Sequence, residues 1–185
     1  MPHIYQSGES YSALVVDFDR VWSKKLTEAL HAEGVQAVEC RSAREAVAFA
    51  MQRRPDIVFL DLLLPDDAGQ VSGGGFLLCD QLHRWDSTIP LVVVTEVDLP
   101  DAPLLAEKVG ASAYFIKPVG PKTLVEQTAS LFDSSRKAGA SHSTNSLAQR
   151  VMFRCHCGRR FQMCPSRRRE RIACPECGEA VSVPA

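Results

Sequence analysis

The sequence contains no long hydrophobic run, and this absence argues against a membrane-spanning helix. No apolar segment approaches the roughly 20 residues that cross a bilayer. The amino-terminal residues 1–12 are polar, and no basic segment precedes an apolar one, so a signal peptide is not expected. These absences predict a cytoplasmic protein without membrane contact.

Cysteine is nearly absent from most of the 185-residue chain. Cys40 and Cys79 stand alone in the first part, whereas five of the seven cysteines fall between Cys155 and Cys177. In a chain that is expected in the reducing cytosol, this clustering favours a metal site over a disulfide framework.

A strong net charge is also missing, since the whole chain carries only −1. The two ends differ, however. Residues 1–139 carry 13 Lys and Arg against 19 Asp and Glu, whereas residues 140–185 carry 8 Arg against 3 Glu. An acidic body followed by a basic tail predicts two modules with different partners.

Short apolar runs alternate with helical patterns through the acidic body. The runs at 13–16, 57–60 and 91–94 are continuous, which is typical of strands buried on both faces of a parallel sheet. Weaker strands are predicted at 35–39 and 113–116, and helices at 20–32 (with Trp22, Leu26 and Leu30 on one face), 42–53, 76–85, 102–109 and 121–132. Five β–α repeats predict an α/β fold with a doubly wound, five-stranded parallel sheet.

The stretch that follows the last predicted helix is small, polar and rich in serine. Such a composition is typical of a flexible linker. We therefore predict a first domain at 12–133, a linker at 134–148 and a second module at 151–184.

Polar side chains follow four of the predicted strands directly. They are Asp17 and Asp19 after the first strand, Asp61 after the third, Thr95 after the fourth and Lys117 after the fifth. Since strand ends converge in a doubly wound sheet, we expect these side chains to form one site. Carboxylates there can bind Mg²⁺, one of them can attack a phosphoryl group, and a lysine can neutralise the transferred oxygens.

Four segments carry a resemblance to a known family. They are Leu-Val-Val-Asp at 14–17, the Pro-Asp-Ile-Val-Phe-Leu-Asp segment that opens 55–65, Pro-Leu-Val-Val-Val-Thr at 90–95 and Gly-Ala-Ser-Ala-Tyr-Phe-Ile-Lys-Pro at 110–118. With them, residues 12–133 resemble the receiver domain of two-component response regulators. The resemblance implies a flavodoxin-like fold and a role in a phosphorelay.

The resemblance also implies roles for single residues. Asp61 would accept a phosphoryl group from a histidine kinase or phosphotransfer protein, with Mg²⁺ bound by Asp17, Asp19 and Asp61. Thr95 would be the switch hydroxyl and Lys117 the amine that binds phosphate.

A conformational output is implied as well. Tyr114 matches the switch aromatic residue, and residues 99–119 would form the face that binds an unidentified protein partner. The Lys117–Pro118 peptide bond would be cis.

Three features depart from the family pattern. Phe18 stands where the family has a second acid, so Asp19, one place later, either caps the next helix or lies near the metal. Glu96 stands where the family has a small residue, and the glycine-rich loop 65–75 is longer than usual. These departures leave open an alternative, a phosphorylation-independent pseudo-receiver that serves as a scaffold.

An enzyme is the weaker alternative. The Asp17-Phe18-Asp19 sequence resembles the Asp-x-Asp motif of haloacid-dehalogenase-like phosphatases, which usually lies in a longer chain with a large cap or core. The segment 55–65 and the short spacing between 95 and 117 fit a receiver better. We therefore expect a signalling protein that is not an enzyme.

Four cysteines in the tail form two knuckles, Cys155-x-Cys157-Gly and Cys174-Pro-x-Cys177-Gly. Four thiolates are the ligand set of a structural Zn²⁺ ion, and a module of about 35 residues needs a metal to fold. The paired knuckles resemble zinc ribbons. Residues 151–184 are therefore predicted as a zinc-ribbon-like output or docking module.

Other residues of this module are given lesser roles. Cys164 is predicted as a bystander on a strand, and His156 is predicted to point away from the ion. The module is basic through Arg159, Arg160, Arg167, Arg168, Arg169 and Arg171. These arginines suit contacts with nucleic acid phosphates, a solvated surface, or docking on the acidic first domain.

Overall fold

The computed structural model describes residues 11–65, 69–140, 151–158, 160–163, 169, 171–174 and 177–184. The chain forms two compact units, with the boundary between Ala138 and Gly139. Among the described residues, no helix combines the length and the hydropathy that crossing a bilayer requires.

The first unit is built on a parallel sheet. In chain order its strands are β1 (Ser12–Val16), β2 (Gln36–Cys40), β3 (Ile57–Leu60), β4 (Leu64–Pro65), β5 (Val71–Ser72), β6 (Leu91–Thr95) and β7 (Ala113–Ile116). Five of them form the sheet, in the order β2-β1-β3-β6-β7 and with every pair parallel. β4 and β5 form a short antiparallel hairpin after β3. The predicted five-stranded parallel sheet is confirmed, with each strand within one residue of its expected bounds.

Five helices pack on this sheet. They are α1 (Arg20–Ala32), α2 (Ala43–Arg53), α3 (Gly74–Trp85), α4 (Ala102–Lys108) and α5 (Pro121–Ala140). α1 begins where the Asp19 carboxylate accepts hydrogen bonds from the N–H groups of Val21 and Trp22. α2 begins where the Ser42 side chain accepts a hydrogen bond from the N–H group of Glu45. Both caps satisfy backbone donors that the first helical turn leaves unpaired.

Two apolar cores lie on the two faces of the sheet, because successive side chains of a strand point to opposite sides. Val16 of β1 belongs to one core, with Leu78 of α3. Val15 belongs to the other, with Leu26 of α1 and Leu124 of α5. Burial on both faces explains why the strand sequences are continuously apolar.

The structure corrects the predicted linker. Residues 134–140, predicted as the start of a flexible linker, continue α5 to Ala140 and are helical. These residues include alanine, arginine and lysine, which are strong helix formers, and no proline interrupts them. The rest of the predicted linker, 141–148, lies outside the described residues.

The second unit contains two antiparallel hairpins. They are formed by β8 (Val151–Arg154) with β9 (Arg160–Met163) and by β10 (Arg171–Ala173) with β11 (Ala180–Ser182). Gly158 and Gly178 follow the two cysteine pairs with φ of 91° and 72°, respectively. A residue with a side chain rarely adopts this backbone conformation, so glycine permits both turns.

Gly75 brings α3 against the backbone that follows β3, and Gly75→Ala should destabilise the first unit by about 2–3 kcal/mol. An added Cβ would collide with the carbonyl oxygen of Asp61 and the Cα of Leu62, and backbone atoms cannot move aside cheaply. Urea unfolding followed by tryptophan fluorescence reports on this unit, since both tryptophans lie in it.

Gly74→Ala is the matched control for this substitution. Its added Cβ meets only the carbonyl oxygen of Leu64, at an ordinary contact distance of 3.7 Å. Alanine also favours a helix over glycine, so the control should be neutral or slightly stabilising. Equal stability of the two variants would contradict the tight approach of α3 to the strand end.

Candidate functional site

Two carboxylates and one ammonium meet at the carboxyl ends of the strands. Asp17 and Asp61 follow β1 and β3, where the sheet order reverses and a crevice is expected. Nζ of Lys117, which follows β7, lies 2.7 Å from Oδ2 of Asp17 and 2.8 Å from Oδ2 of Asp61. The exposed fractions of the side chains are 8% for Lys117, 1% for Asp17 and 3% for Asp61. The cluster is therefore buried, and it carries one more negative charge than positive.

The backbone holds the other carboxylate oxygens. Oδ1 of Asp17 accepts a hydrogen bond from the N–H of Asp19 (2.8 Å), and Oδ1 of Asp61 accepts one from the N–H of Leu63 (2.9 Å). Burial raises the pKa of Asp17, although the hydrogen bond from Lys117 opposes this shift. Burial alone would lower the pKa of Lys117, but hydrogen bonds to both carboxylates raise it above its ordinary value. The ammonium therefore stays charged in the buried site.

Thr95 and Tyr114 are connected through the backbone of Val97. The Thr95 hydroxyl is fully buried at the end of β6 and accepts a hydrogen bond from the N–H of Val97 (3.3 Å). The Tyr114 hydroxyl donates to the carbonyl oxygen of Val97 (2.6 Å). Burial, followed by the negative charges of Asp61 and Asp98, raises the pKa of Tyr114, so its hydroxyl remains a donor at neutral pH. A movement of the Thr95 hydroxyl would therefore shift the backbone of Val97 and alter the hydrogen bond that Tyr114 donates to it.

The structure does not place Asp19 in the carboxylate cluster. Oδ1 of Asp19 accepts hydrogen bonds from the N–H groups of Val21 (2.8 Å) and Trp22 (3.2 Å), which makes Asp19 the cap of α1. Among the described residues, groups of three or more metal-ligating side chains within 4.8 Å of one another occur only in the second unit. Asp19 therefore caps α1, and it also lines the cleft beside Asp61.

A cleft of about 390 Å³ opens beside Asp61. Glu96 and Lys117 line it together with apolar side chains, among them Phe18 and Val71. Phe18 is 46% exposed and Val71, on the β4–β5 hairpin, is 50% exposed. The long loop therefore contributes an apolar wall to the cleft, and the acid expected beside Asp17 is replaced by an aromatic ring.

Trp22 is a site residue that the sequence pattern assigned only to the apolar face of α1. Its ring lies under the Lys117 ammonium, with Nζ 4.6 Å from the ring centroid. The short spacing from Asp17 to Trp22, five positions along the chain, was the available signal. It was ambiguous, because a tryptophan in an apolar helical stripe normally packs in a core.

Four cysteine sulfurs converge in the second unit. Those of Cys155, Cys157, Cys174 and Cys177 all lie within 4.8 Å of one another. The sulfurs of Cys155 and Cys177 are 3.5 Å apart, and those of Cys157 and Cys174 are 3.7 Å apart. A tetrahedral ion with metal–sulfur bonds of about 2.3 Å places its sulfurs about 3.8 Å apart. The two knuckles therefore form a site that fits a tetrahedral metal ion.

His156 lies beside this cluster. Its Nδ1 is 3.6 Å from the sulfur of Cys155 and 2.7 Å from Oε2 of Glu179. Nδ1 thus faces the Cys155 sulfur and the Glu179 carboxylate, which differs from the expectation that His156 points away. Cys164, predicted as a bystander, lies outside the described residues. Of the arginines predicted to make the module basic, Arg169 and Arg171 have described side chains, and both are exposed.

Comparisons with known proteins agree with the geometry of the first unit. The response regulator receiver domain family matches residues 13–129. Protein PilH of Pseudomonas aeruginosa is 31% identical over 115 residues, which cover 61% of this chain and 90% of PilH. The DNA-binding response regulator MtrA of Mycobacterium tuberculosis is 37% identical over 113 residues, which cover 60% of this chain and 46% of MtrA. The chain therefore spans less than half of the length of MtrA.

Solved structures show the same fold. A CheY-like receiver domain protein from Methanospirillum hungatei is 24% identical and has a TM-score of 0.63. The match covers 71% of this chain and 100% of that one. A response regulator from Chloroflexus aurantiacus is 25% identical with a TM-score of 0.60, over 68% of this chain and 99% of that one. The doubly wound sheet, the lysine shared by two strand-end carboxylates and the family match over most of the first unit lead to one conclusion: this chain belongs to the response regulator receiver domain family.

Proposed function

We propose that this chain is a response regulator whose Asp61 accepts a phosphoryl group from a histidine kinase or phosphotransfer protein. The observation that carries the proposal is the contact of Lys117 with Asp61 (2.8 Å) and Asp17 (2.7 Å) beside an open cleft. A buried carboxylate with an ammonium at hydrogen-bonding distance has both the nucleophile and the charge that phosphoryl transfer needs. This arrangement favours phosphotransfer to Asp61 over an Asp-x-Asp phosphatase, since Asp19 caps a helix.

The transfer conserves charge and atoms in a simple way. A carboxylate oxygen of Asp61 attacks the phosphorus of a phosphohistidine, and a P–O bond forms while the P–N bond breaks. The electron pair of the P–N bond stays on the imidazole, which takes up a proton from water. The Lys117 ammonium then shifts from the phosphorylated carboxylate to a phosphoryl oxygen. Lys117 therefore neutralises charge both before and after the transfer.

The residues present fit a Mg²⁺ ion, which commonly binds one or two carboxylates together with water and substrate phosphate. Asp17 and Asp61 would hold it. Bound there, Mg²⁺ supplies positive charge to the transferred phosphoryl oxygens. The net charge of −1 on the cluster attracts a cation. Phe18, which stands where the family has an acid, provides no ligand atom for it.

Phe18→Asp should strengthen Mg²⁺ binding about tenfold, because a carboxylate would replace the ring that lines the cleft. Titration calorimetry measures the affinity. Phe18→Asn is the control, since it introduces a polar group of similar size to Asp without the charge. Asp19→Asn keeps a good helix cap and should leave the affinity unchanged. A large loss of affinity in Asp19→Asn would show that Asp19 is a ligand after all.

Phosphorylation would change the 99–119 face through Thr95. When the Thr95 hydroxyl turns to a phosphoryl oxygen, the N–H of Val97 loses its acceptor, and the bond from Tyr114 to the carbonyl of Val97 is disturbed. The affected face carries exposed apolar side chains. They are Leu99, Leu104, Leu105 and Ile116. A partner that binds one arrangement of this face would shift the equilibrium between the two.

The second unit would serve as an output or docking element held by Zn²⁺. The four sulfurs lie within 4.8 Å of one another, and cysteine thiolates are preferred ligands of structural zinc. Zinc would supply folding energy to this small module of short hairpins. The exposed Arg169 and Arg171 leave nucleic acid among the partners that such an element could contact.

The function is tested by intact mass after incubation with acetyl phosphate and Mg²⁺. The wild type should gain a single acid-labile phosphoryl group, and Asp61→Asn should gain none. Asp61→Asn keeps the size of the side chain and its bond to the N–H of Leu63, so loss of modification reports on the nucleophile.

The second candidate, a pseudo-receiver scaffold, is favoured by Phe18 and Glu96 on the walls of the cleft. A wild type that remains unmodified would support it. Partner binding at the 99–119 face would then be the same in wild type and Asp61→Asn.

A further inference from the structure

The indole of Trp22 lies against the Lys117 ammonium, outside the set of residues that the family resemblance assigns to the site. Nζ of Lys117 is 4.6 Å from the ring centroid. A cation within about 6 Å of the centroid is attracted by the negative face of an aromatic ring. Because the lysine side chain is only 8% exposed, water competes little for the ammonium. Within the part of the chain that the structure describes, the Lys117 ammonium thus contacts two carboxylates and one ring.

Packing alone does not fully explain why position 22 holds a tryptophan. The ring contacts the core on the α1 side of the sheet. Its Nε1, however, is buried and has no hydrogen-bond partner among the described residues. A buried N–H without an acceptor destabilises a fold, and phenylalanine or leucine would fill the position without one. Indole is larger than both side chains, and it also attracts cations more strongly than either of them.

We infer that Trp22 is a positioning residue that keeps the Lys117 ammonium at the strand ends while the charge on Asp61 changes. The inference rests on the proposed phosphorylation of Asp61. When Asp61 becomes an acyl phosphate, its carboxylate charge disappears, and negative charge lies on the phosphoryl oxygens instead. The partners that do not change are Asp17 and the ring. The ring therefore holds the ammonium within reach of the phosphoryl group during the exchange.

Substitutions at Trp22 test this role through the rate of phosphorylation by acetyl phosphate at saturating Mg²⁺. Trp22→Leu, which lacks a ring, should react about tenfold more slowly than wild type. Trp22→Phe retains a weaker ring and should fall between the two. The ¹H signals of the Lys117 Cε group should also lie upfield in wild type, because the ring current of Trp22 shields them. They should return to ordinary positions in Trp22→Leu. Equal rates in all three proteins would overturn the inference.

A fluorination series separates ring charge from ring size. The chain has two tryptophans, so Trp85→Phe leaves Trp22 as the one indole available for labelling with fluorinated tryptophans. Fluorine withdraws electron density from the ring face and changes the size little, so the rate should fall with each added fluorine. The matched control is Trp22→Phe with fluorinated Trp85, which contacts the other core and should give one constant rate. A constant rate in the Trp22 series overturns the inference.

The results distinguish this inference from the proposed function. A wild type that takes up no phosphoryl group overturns the proposed function and this inference with it. A wild type that is phosphorylated, with one rate throughout the fluorinated Trp22 series, overturns the inference alone. If Trp22→Leu fails to fold, the fluorinated series decides the question, because it preserves the ring.

Discussion

Replacing Lys117 with methionine should destabilise the first unit by about 3 kcal/mol in buffer that contains a Mg²⁺ chelator. Methionine fills a similar volume but leaves the carboxylates of Asp17 and Asp61 buried together without a counter-charge. Both carboxylates lie within 2.8 Å of the same Nζ, so without it their negative charges repel strongly in a site from which water is excluded. Urea unfolding followed by helical circular dichroism measures the loss, since all the described helices begin in this unit.

Asp61→Asn, in contrast to Lys117→Met, should not lower the free energy of unfolding of the first unit. It removes the excess negative charge and leaves Lys117 paired with Asp17 alone, so the stability should be unchanged or higher. The double variant Asp61→Asn, Lys117→Met should recover part of the loss. Mg²⁺ should stabilise Lys117→Met more than wild type, because the ion replaces the missing cation. If Lys117→Met is as stable as wild type under chelation, the ammonium does not balance this site.

Cys174→Ser should abolish metal binding by the second unit and unfold it, while the first unit stays folded. The wild type should carry a single zinc ion per chain. Cys174 is 1% exposed, and its sulfur is 3.7 Å from that of Cys157, so a serine removes one corner of the tetrahedron. We expect the two hairpins to depend on the metal for most of their stability. Elemental analysis of protein prepared without chelators measures zinc, and tryptophan fluorescence follows the first unit.

Cys164→Ser is the control for this prediction. The two Cys-Gly knuckles already supply four thiolates, so this variant should retain its zinc. Loss of zinc in Cys164→Ser with retention in Cys155→Ser would overturn the assigned ligands. If no preparation contains zinc, including the wild type, the cysteines would serve redox chemistry instead.

Local patterns in the sequence were sufficient for the elements of the first unit. Continuous apolar runs such as 57–60 marked strands buried on both faces, because a strand exposes two sides and both were covered. Helix starts were equally local, since a cap such as Ser42 acts on backbone groups within the same turn. The β4–β5 hairpin, in a segment expected to be a loop, and the end of α5 were the exceptions. At the end of α5, the serine-rich composition predicted a linker, but residues 134–140 are helical, in keeping with the helix propensity of their alanine, arginine and lysine residues.

The meeting of Asp17, Asp61 and Lys117 was also readable from the sequence, because every strand of a parallel sheet ends at the same edge. Asp17, Asp61, Thr95 and Lys117 were each named from their place after a strand. In the tail, the spacing of Cys155, Cys157, Cys174 and Cys177 identified the sulfur cluster in the same way, since a knuckle brings two thiols to one point.

Only the tertiary structure decided which of these side chains contact one another. Lys117 is 100 residues from Asp17 and 56 from Asp61, and no local pattern reports whether it contacts one, both or neither. Asp19 was a candidate both for a helix cap and for a metal ligand, and the structure shows the cap. The ring of Trp22 looked like a core residue along the helix, and became a partner of Lys117 only when β7 was placed across the sheet. Local periodicity specifies which face of an element is buried, whereas the partner on that face depends on packing between distant segments.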